Sequence, residues 1–425
     1  MKIITFGMLF AVVFISNCTL NADKCYGQWV QMSNGMGNTQ SVNVFAVSGN
    51  NLFAGTNNGV YVSTNNAANW TFTGLESLQV RSLAVSGTNI FASTFGSGIF
   101  LSTNNGANWT AVNNGLTGYD LYMGPLAVSG NILFAGNVGP LGNGIFRSTN
   151  SGEYWTNVTN GFTNSHHVNA ISVSGTNVFA GTGGGMEYGG VLLSANNGIN
   201  WTIVSSAIPQ MDVWSLIADG ANVYAGCQYT SIGTPAVFFS SNSGANWINM
   251  QNDLGNRRVT AFAINGNNVF AGTDSGVYIT TNNGLNWINK NQGFNTIPSI
   301  GAFLITNNYI FTGTYGTSVW RRSLSEIIGV MNNGKEIPTV FSLNQNYPNP
   351  FNPSTLITYD LPESSFVKLI IYNELGQQVA VMVKEKKSAG TYEVTFNGAL
   401  YPSGVYFCKF SAGDFADVKR MLLVK

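Results

Sequence analysis

The feature that most constrains this chain is that it repeats itself. An octapeptide ending in Trp recurs six times: Ser63–Trp70, Ser102–Trp109, Ser148–Trp155, Ser194–Trp201, Ser240–Trp247 and Thr280–Trp287. Successive Trp spacings are 39, 46, 46, 46 and 40 residues. A second motif, of the form Ala-Val-Ser-Gly-x-x-Phe-Ala-Gly-Thr, lies upstream of each box. It begins near Ala46, Ala84, Ala127, Ser172, Ile217, Ala263 and Leu304, which makes seven copies. Repeats of this length belong to architectures in which each unit buries its apolar face only against its neighbours.

Each unit reads as four short β-prone runs divided by turn residues. In the second unit these are Ser82–Val85, Asn89–Ser93, Gly98–Ser102 and Trp109–Asn113. Alternation and β-branched content favour strands, and Gly and Asn mark the turns. Four antiparallel strands in 40 to 46 residues make one propeller blade. Seven upstream motifs against six boxes leaves one outer strand missing, because the unit from Ile300 to Arg322 has no Trp strand after it. The stretch Gln28-Trp29-Val30-Gln31-Met32-Ser33-Asn34-Gly35 resembles the piece that follows each later box. Trp29 is therefore expected to supply the last blade's outer strand and close the ring, which removes an open sheet edge. The fold class expected is all-β: a seven-bladed β-propeller followed by a small immunoglobulin-like β-sandwich.

The boxes resemble the Asp-box (BNR-type) of sialidase-like and sortilin-like propellers, Ser-x-Asp-x-Gly-x-x-Trp. Asn65, Asn104, Asn150, Asn196, Asn242 and Asn282 stand at the Asp position, and Trp70, Trp109, Trp155, Trp201, Trp247 and Trp287 at the Trp position. Asn still accepts a backbone N–H in an Asx-turn, so the hairpin is retained. Calcium sites need several charged oxygens, which these loops lack. The boxes are read as structural, with no metal and no cofactor.

Loop length points to one face. In a blade, the second-to-third hairpins and the blade-to-blade links share a face. From the Gly after the second strand to the box, units one and six take 8 steps (Gly55 to Ser63, Gly272 to Thr280). Units three, four and five take 12, 13 and 14 (Gly136 to Ser148, Gly181 to Ser194, Gly226 to Ser240). These loops and links carry Tyr119, Asp120, Tyr122, His166, His167, Glu187, Tyr188, Trp214, Tyr229, Arg257 and Arg258. Aromatic rings with a few polar groups suit a sugar or peptide. Tyr119, Asp120, Glu187, Tyr188, Trp214, Tyr229 and Arg257 are the candidate ligand-binding residues. The adjacent His166 and His167 point opposite ways on a strand and have no third His to complete a metal site.

Only 8% of residues are charged and the formal net charge is zero. The aromatic and apolar content is too high for a disordered chain. No basic surplus exists to neutralise phosphates, so nucleic acid is not an expected partner. From Trp29 to Trp320 the chain has five basic and eight acidic residues in 292. The sialidase resemblance implies three Arg around a carboxylate, a Tyr nucleophile with a Glu partner, and an Asp acid; the Arg-Ile-Pro motif is absent. Other glycosidases need two carboxylates about 5–10 Å apart, which Asp120, Glu187 and Asp212 could supply. No catalytic residue is assigned. A non-catalytic glycan- or protein-binding or adhesion module is the leading reading. The alternatives are a degenerate glycoside hydrolase, sialidase-like or xyloglucanase-like, and a structural surface protein without ligand.

At the amino end, Met1-Lys2 precedes an apolar run from Ile3 to Ile15. This reads as a secretory signal peptide over residues 1–22 with cleavage after Ala22; the rival is lipid attachment at Cys18. The run is shorter than the roughly 20 residues of a membrane span. Cys18, Cys25, Cys227 and Cys408 are widely spaced and read as neither a disulfide framework nor a metal pattern.

Composition changes after Arg322. From Lys335 to Lys425 there are nine basic and eight acidic residues in 91. The expected division is a propeller over 23–322, a linker over 323–337 and a second domain over 338–425. That domain reads as strands at Leu356–Tyr359, Phe366–Tyr372, Gln378–Val383, Gly390–Phe396, Gly404–Ser411 and Val418–Val424, a small β-sandwich. It opens on Tyr347-Pro348-Asn349-Pro350-Phe351-Asn352-Pro353, in which three prolines fix an extended lead-in. With Gly404 and the terminal Lys425, this segment closely resembles the type A sorting domain of the bacterial type IX secretion system. The resemblance implies a protein of the Bacteroidetes or related phyla, secreted or held at the outer cell surface. Its implied partners are the type IX machinery and a sortase-like processing enzyme. The chain is expected to be a monomer without a membrane span.

Overall fold

A computed structural model of the chain describes residues 28–142, 144–160, 167–183, 189–205, 211–229, 235–329, 338, 340–387 and 389–425. The expected signal peptide, Cys18, Cys25, His166, Glu187, Tyr188 and most of the expected linker lie outside the described residues. The chain forms two compact units, Met1–Ile327 and Ile328–Lys425.

The first unit is built of seven four-stranded antiparallel sheets. Sheet two serves as the pattern. Val80–Ser86 turns at Gly87-Thr88 into Asn89–Thr94, which turns through Phe95-Gly96-Ser97 into Gly98–Ser102. The box then leads to a short outer strand, Thr110–Ala111. The first strands of the seven sheets are Val42–Ser48, Val80–Ser86, Met123–Ser129, His167–Ser174, Met211–Asp219, Val259–Asn265 and Ile300–Ile305. Each adjoins the next, and the seventh meets the first, so the sheets follow one another around a closed ring.

The upstream motif's Phe-Ala-Gly-Thr is the second strand. In sheet one, Leu52 to Thr56 are all buried. A neighbouring sheet covers each face, so the run is continuously apolar rather than alternating. Six of the seven outer strands are only two residues long, which leaves little unpaired edge.

The motif's Gly has a packing cause. A Cβ on Gly55, Gly136 or Gly181 would lie 2.6 Å from a methyl of Val80, Val168 or Val213, the β-branched residue on the next sheet's first strand. Gly313 meets Val42 in the same way at 2.7 Å, across the join between the seventh sheet and the first. These glycines are there because the neighbouring sheet's methyl occupies the space a side chain would need, not because of an unusual φ. In sheet two the position is Ser93, and the facing residue is Gly124.

The boxes form one repeated turn. Ser63 Oγ donates to Asn65 Oδ1 (3.0 Å) and accepts from Ala67 N–H (2.9 Å), and Asn65 Oδ1 accepts from Asn69 N–H (2.9 Å). The same bonds recur at Ser102, Ser148, Ser194, Ser240 and Thr280. The box Trp then reaches back to the preceding sheet. Indole N–H groups of Trp70, Trp155, Trp247 and Trp287 donate to the carbonyls of Met32, Val112, Val204 and Met250 at 2.7–2.9 Å.

Trp29 makes the equivalent contact without a box. Its indole N–H donates to Lys290 O at 2.7 Å, and its backbone N–H to Gln292 O at 2.9 Å. Val30 and Gln31 pair with Arg321 and Trp320, so the chain's first described strand is the fourth strand of the seventh sheet. Phe294 stacks on Trp29 (centroids 5.2 Å apart) and meets Trp320 edge-on (5.1 Å). Two cations are buried beside this junction. Arg322 donates to Lys290 O (3.2 Å) and Gln292 Oε1 (3.3 Å). Burial, and secondarily the neighbouring Arg322, hold the Lys290 ammonium down to about 8. Burial lowers Arg322 to about 10, against the opposing pull of Glu326.

The second unit is a β-sandwich. A three-stranded sheet comprises Ser342–Leu343, Ser354–Leu361 and Gly390–Asn397. A four-stranded sheet comprises Gln378–Lys387, Ser365–Asn373, Gly404–Ala412 and Phe415–Leu423. Strict alternation in Ser365–Ile371 sends Val367, Leu369 and Ile371 into the core against Ile357, Tyr359, Phe396 and Phe410. Sequence missed the first short strand and otherwise found these elements. Cys408 here and Cys227 in the ring are buried free thiols, and burial raises both pKa values, Cys408 to about 12.

Two outcomes follow. Gly181→Ala should lower stability by about 1–3 kcal/mol in urea unfolding, because the added methyl overpacks Val213. The unfolded chain keeps the Lys290 proton to about pH 10.5, whereas the folded chain releases it near 8. Between those values the unfolded state binds more protons, so stability rises with pH. Lys290→Met should therefore stabilise the protein at pH 7 by ~1–2 kcal/mol, and its advantage over wild type should shrink as melting is followed from pH 8 to pH 10.

Candidate functional site at the mouth of the ring

The first strands carry one irregularity each, at corresponding places. Pairing shifts between Val42 and Val44, Val80 and Ser82, Met123 and Leu126, Val168 and Ala170, Val213 and Ser215, Val259 and Ala261, and Ile300 and Ala302. A bulge leaves its extra residue outside the ladder and re-aims its side chain. The displaced residues include Asn43, Arg81, Asn169, Trp214, Thr260 and Gly301.

Most of these serve the ring itself. Asn43 donates to Val80 O (2.9 Å), Asn169 to Val213 O (3.1 Å) and Thr260 to Ile300 O (2.5 Å). Each bond joins one first strand to the next. Arg81 and Trp214 do not make this bond. In their sheets a serine bonds the neighbouring first strand instead: Ser93 donates to Gly124 O (2.5 Å), one residue past the equivalent carbonyl, and Ser215 to Val259 O (2.8 Å). The substitution of a serine frees two bulge positions from structural duty, and both carry large exposed side chains.

Each freed residue stacks with a group from a loop. The Arg81 guanidinium lies over Phe95, 5.5 Å from its centroid. Tyr122 packs edge-on against Phe95 at 5.0 Å, and Tyr119 lies 6.1 Å from Tyr122. Phe95 and Tyr119 are 44% and 49% exposed. Asn137, fully buried, anchors this turn by donating to Tyr119 O (2.9 Å) and Tyr122 O (3.2 Å). In the other stack the Arg258 guanidinium lies 5.4 Å from the Trp214 ring, which is 38% exposed. Phe95 lies in a second-to-third hairpin, and Tyr119, Tyr122 and Arg258 lie in links between sheets. All therefore open on one face of the ring.

The candidate residues divide accordingly. Tyr119 and Trp214 stand in these aromatic–arginine stacks. Asp120 turns back on its own 3-10 turn, accepting from Thr117 N–H at 3.1 Å, and also lines a cavity of about 320 Å³ with Tyr154 and Trp155. Arg257, half-buried, donates to Leu254 O (2.8 Å) and lies 5.4 Å from the Tyr278 ring. Its neighbour Arg258, also half-buried, is the one stacked on Trp214. Tyr229 ends the second strand of sheet five opposite Met211. His167 pairs with Gly183 at the start of its strand. Glu187 and Tyr188 are outside the described residues. Loop length missed Arg81 and Phe95. Aligning the seven first strands on their β-branched residue would have isolated Arg81 and Trp214 as the large members of an otherwise small or amide column.

Chemically, such stacks offer flat apolar faces with fixed cations, which suit carbohydrate rings, planar side chains or carboxylates. Asp253 accepts from Trp287 N–H (3.0 Å) and Asp274 from Arg258 N–H (3.4 Å). Among the described residues no group of three or more His, Cys, Asp or Glu is placed to hold a metal ion.

In the second unit the sorting-signal residues are ordered around the sandwich. Tyr347 is exposed and bridges to Leu356, whereas Phe351 is buried and bridges to Leu423. Asn346 donates to Pro348 O (3.1 Å), and Phe351 follows the Pro348–Pro350 turn into the core. Pro353 O accepts from Gly398 N–H (2.7 Å). Gly404 opens its strand, and Lys425 Nζ donates to Ala399 O (2.7 Å).

Residues 345–425 match the family of secretion system C-terminal sorting domains, and residues 12–121 match the DUF6242 beta propeller domain. The chain thus combines a β-propeller domain with a type IX C-terminal sorting domain, which marks it as a secreted, cell-surface protein. No curated protein matches it. Among solved structures, PorZ, a surface component of the type IX secretion system of Porphyromonas gingivalis, is similar at 15% identity and TM-score 0.53. The match covers 91% of this chain and 59% of PorZ. The GH74 xyloglucanase of Xanthomonas campestris is similar at 14% identity and TM-score 0.51, over 66% of this chain. A YCF48 structure with a bound D1 peptide is similar at 12% identity and TM-score 0.54, covering 70% of this chain and 97% of that one. The chain spans about half the length of the xyloglucanase. At these identities the likeness is one of fold. No helix among the described residues is long and apolar enough to cross a membrane.

Proposed function

We propose that the chain is a non-catalytic glycan- or protein-binding module, displayed at the cell surface, whose ligand docks on the link face of a seven-bladed propeller. The observation that carries this reading is the pair of freed bulge residues. Arg81 and Trp214 are released from the inter-sheet bond that Asn43, Asn169 and Thr260 make, and each is instead stacked with a loop partner, the exposed Phe95 and the half-buried Arg258. A scaffold gains nothing from placing an exposed Trp and Arg where Asn or Thr would tie the ring. Large aromatic and Arg groups are the side chains that dominate recognition surfaces.

Three of the described carboxylates support binding rather than hydrolysis. Asp120, Asp253 and Asp274 each accept a backbone N–H bond that fixes a turn or link. The repeated Ser–Asn turn supports assignment of the boxes to the Asp-box class. It supports a role in hairpin closure, on the face opposite the proposed ligand.

The test uses the full chain on glycan and peptide arrays, followed by titration of the best hit. Trp214→Ala and Arg81→Ala should each weaken binding at least tenfold, about 1.4 kcal/mol, while melting as wild type does. Binding unchanged in both variants would discard the site. Deleting residues 341–425 should leave the propeller inside the cell envelope; normal surface display of the truncated chain would overturn the export reading.

A further inference from the structure

The four-stranded sheet of the second unit has a second face. Its inward positions, Val367, Leu369, Ile371, Cys408 and Phe410, fill the core. Its outward positions follow from the register. Lys368 pairs with Lys384 on one side and Ser411 on the other. Ile370 lies between Val381 and Lys409, and Lys409 pairs in turn with Val418. Tyr372 pairs with Phe407, which pairs with Arg420. Phe366 pairs with Lys386. The outward face thus holds five of the nine cations between Lys335 and Lys425, and no Asp or Glu occupies an outward strand position.

The contrast with the other face of the same strands is sharp. Lys387 is paired with Glu385 at 2.6 Å and Lys419 with Asp417 at 3.0 Å, all four on core-side positions. The five outward cations form no ion pair among the described residues. Lys368 and Lys384 stand directly opposite each other, an arrangement that destabilises a sheet. Phe366, Val381 and Val418 are 52%, 47% and 48% exposed between these charges. The fold has no use for such a face.

We propose that this outward sheet face is the docking surface by which the sorting domain engages an acidic protein surface of the secretion apparatus. The inference rests on the export reading and adds to it the face and the charge of the partner. Charge complementarity argues for an acidic occupant. The interleaving argues for a protein rather than a lipid surface. Apolar and cationic side chains alternate row by row across a sheet, and aromatic rings sit beside Arg420, as in protein interfaces. A membrane-surface element instead segregates an apolar side for insertion.

The experiment expresses the full chain in a type IX-competent bacterium and measures surface display by protease accessibility. K368E/K384E/K409E should reduce display at least tenfold, the matching Lys→Arg variant should display normally, and both should melt as wild type does. If the reversed chain melts differently, K368Q/K384Q decides in its place, with an expected loss of about threefold. Purified full chain should not float with vesicles of phosphatidylglycerol and phosphatidylcholine at 3:7. Wild-type display of the reversed or neutralised chain overturns the proposal. So does vesicle flotation that wild type has and the reversed chain lacks, which would assign the face to anionic lipid. Normal display of the 341–425 deletion would instead fail the export reading itself, so the two failures are distinguishable.

Discussion

The ring depends on one contact repeated around it: a β-branched methyl of one sheet's first strand resting where the preceding sheet's second strand would have a Cβ. Glycine at 55, 136, 181 and 313 lets a Val methyl approach the backbone. That approach brings successive first strands close enough for the Asn43, Asn169 and Thr260 bonds to span them. A bulkier residue would push adjacent sheets apart and break both the packing and the polar bond. The same geometry explains the low charge of the ring. Second strands covered on both faces have no exposed side on which a charged residue could sit without a desolvation cost.

The outer rim is held by a different device. Two-residue strands contribute little pairing, so Trp70, Trp155, Trp247 and Trp287 reach back with their indole N–H groups to the preceding link. Those four sheets are thereby clamped to their predecessors. The seventh sheet has no box of its own, and Trp29 performs the clamp from the start of the chain. Closure is thus a sequence-distant copy of a local contact. Burying Lys290 and Arg322 beside it places two like charges in a poorly hydrated site, and their lowered pKa values record that cost.

How much of this was legible in sequence follows from periodicity. The Trp boxes and the Phe-Ala-Gly-Thr runs repeat, so strands, turns and the Trp29 exchange could be read from spacing. The bulges could not, because a one-residue register shift alters no composition. Loop length was a weaker guide for the same reason. It drew attention to sheets three to five, whereas Arg81 and Phe95 sit in sheet two, whose hairpin is short. It also favoured Arg257 over Arg258, although Arg257 folds onto Leu254 O and Arg258 onto Trp214. In the second unit, the alternation that identified the strands also set which charges faced outward. The near-equal count of nine basic and eight acidic residues hid the gathering of five cations on one sheet face that carries no acidic strand position.

The two units then differ in how they treat charge, and the difference has a physical rationale. In the ring, Arg81 and Trp214 sit where a serine makes the bond to the next first strand, so exchanging them would leave closure untouched. The four-stranded sheet of the sandwich keeps Glu385 and Asp417 on the core-side parity, each with a lysine, and carries five cations on its other face. Long-range attraction of an acidic surface falls off within about 10 Å at physiological salt. A cluster of five cations on one flat face is therefore effective only at contact range, where the interleaved Phe366, Ile370 and Phe407 would be buried together with it. Affinity and orientation would then come from the same face, which is what a domain that must be recognised once, in one orientation, requires.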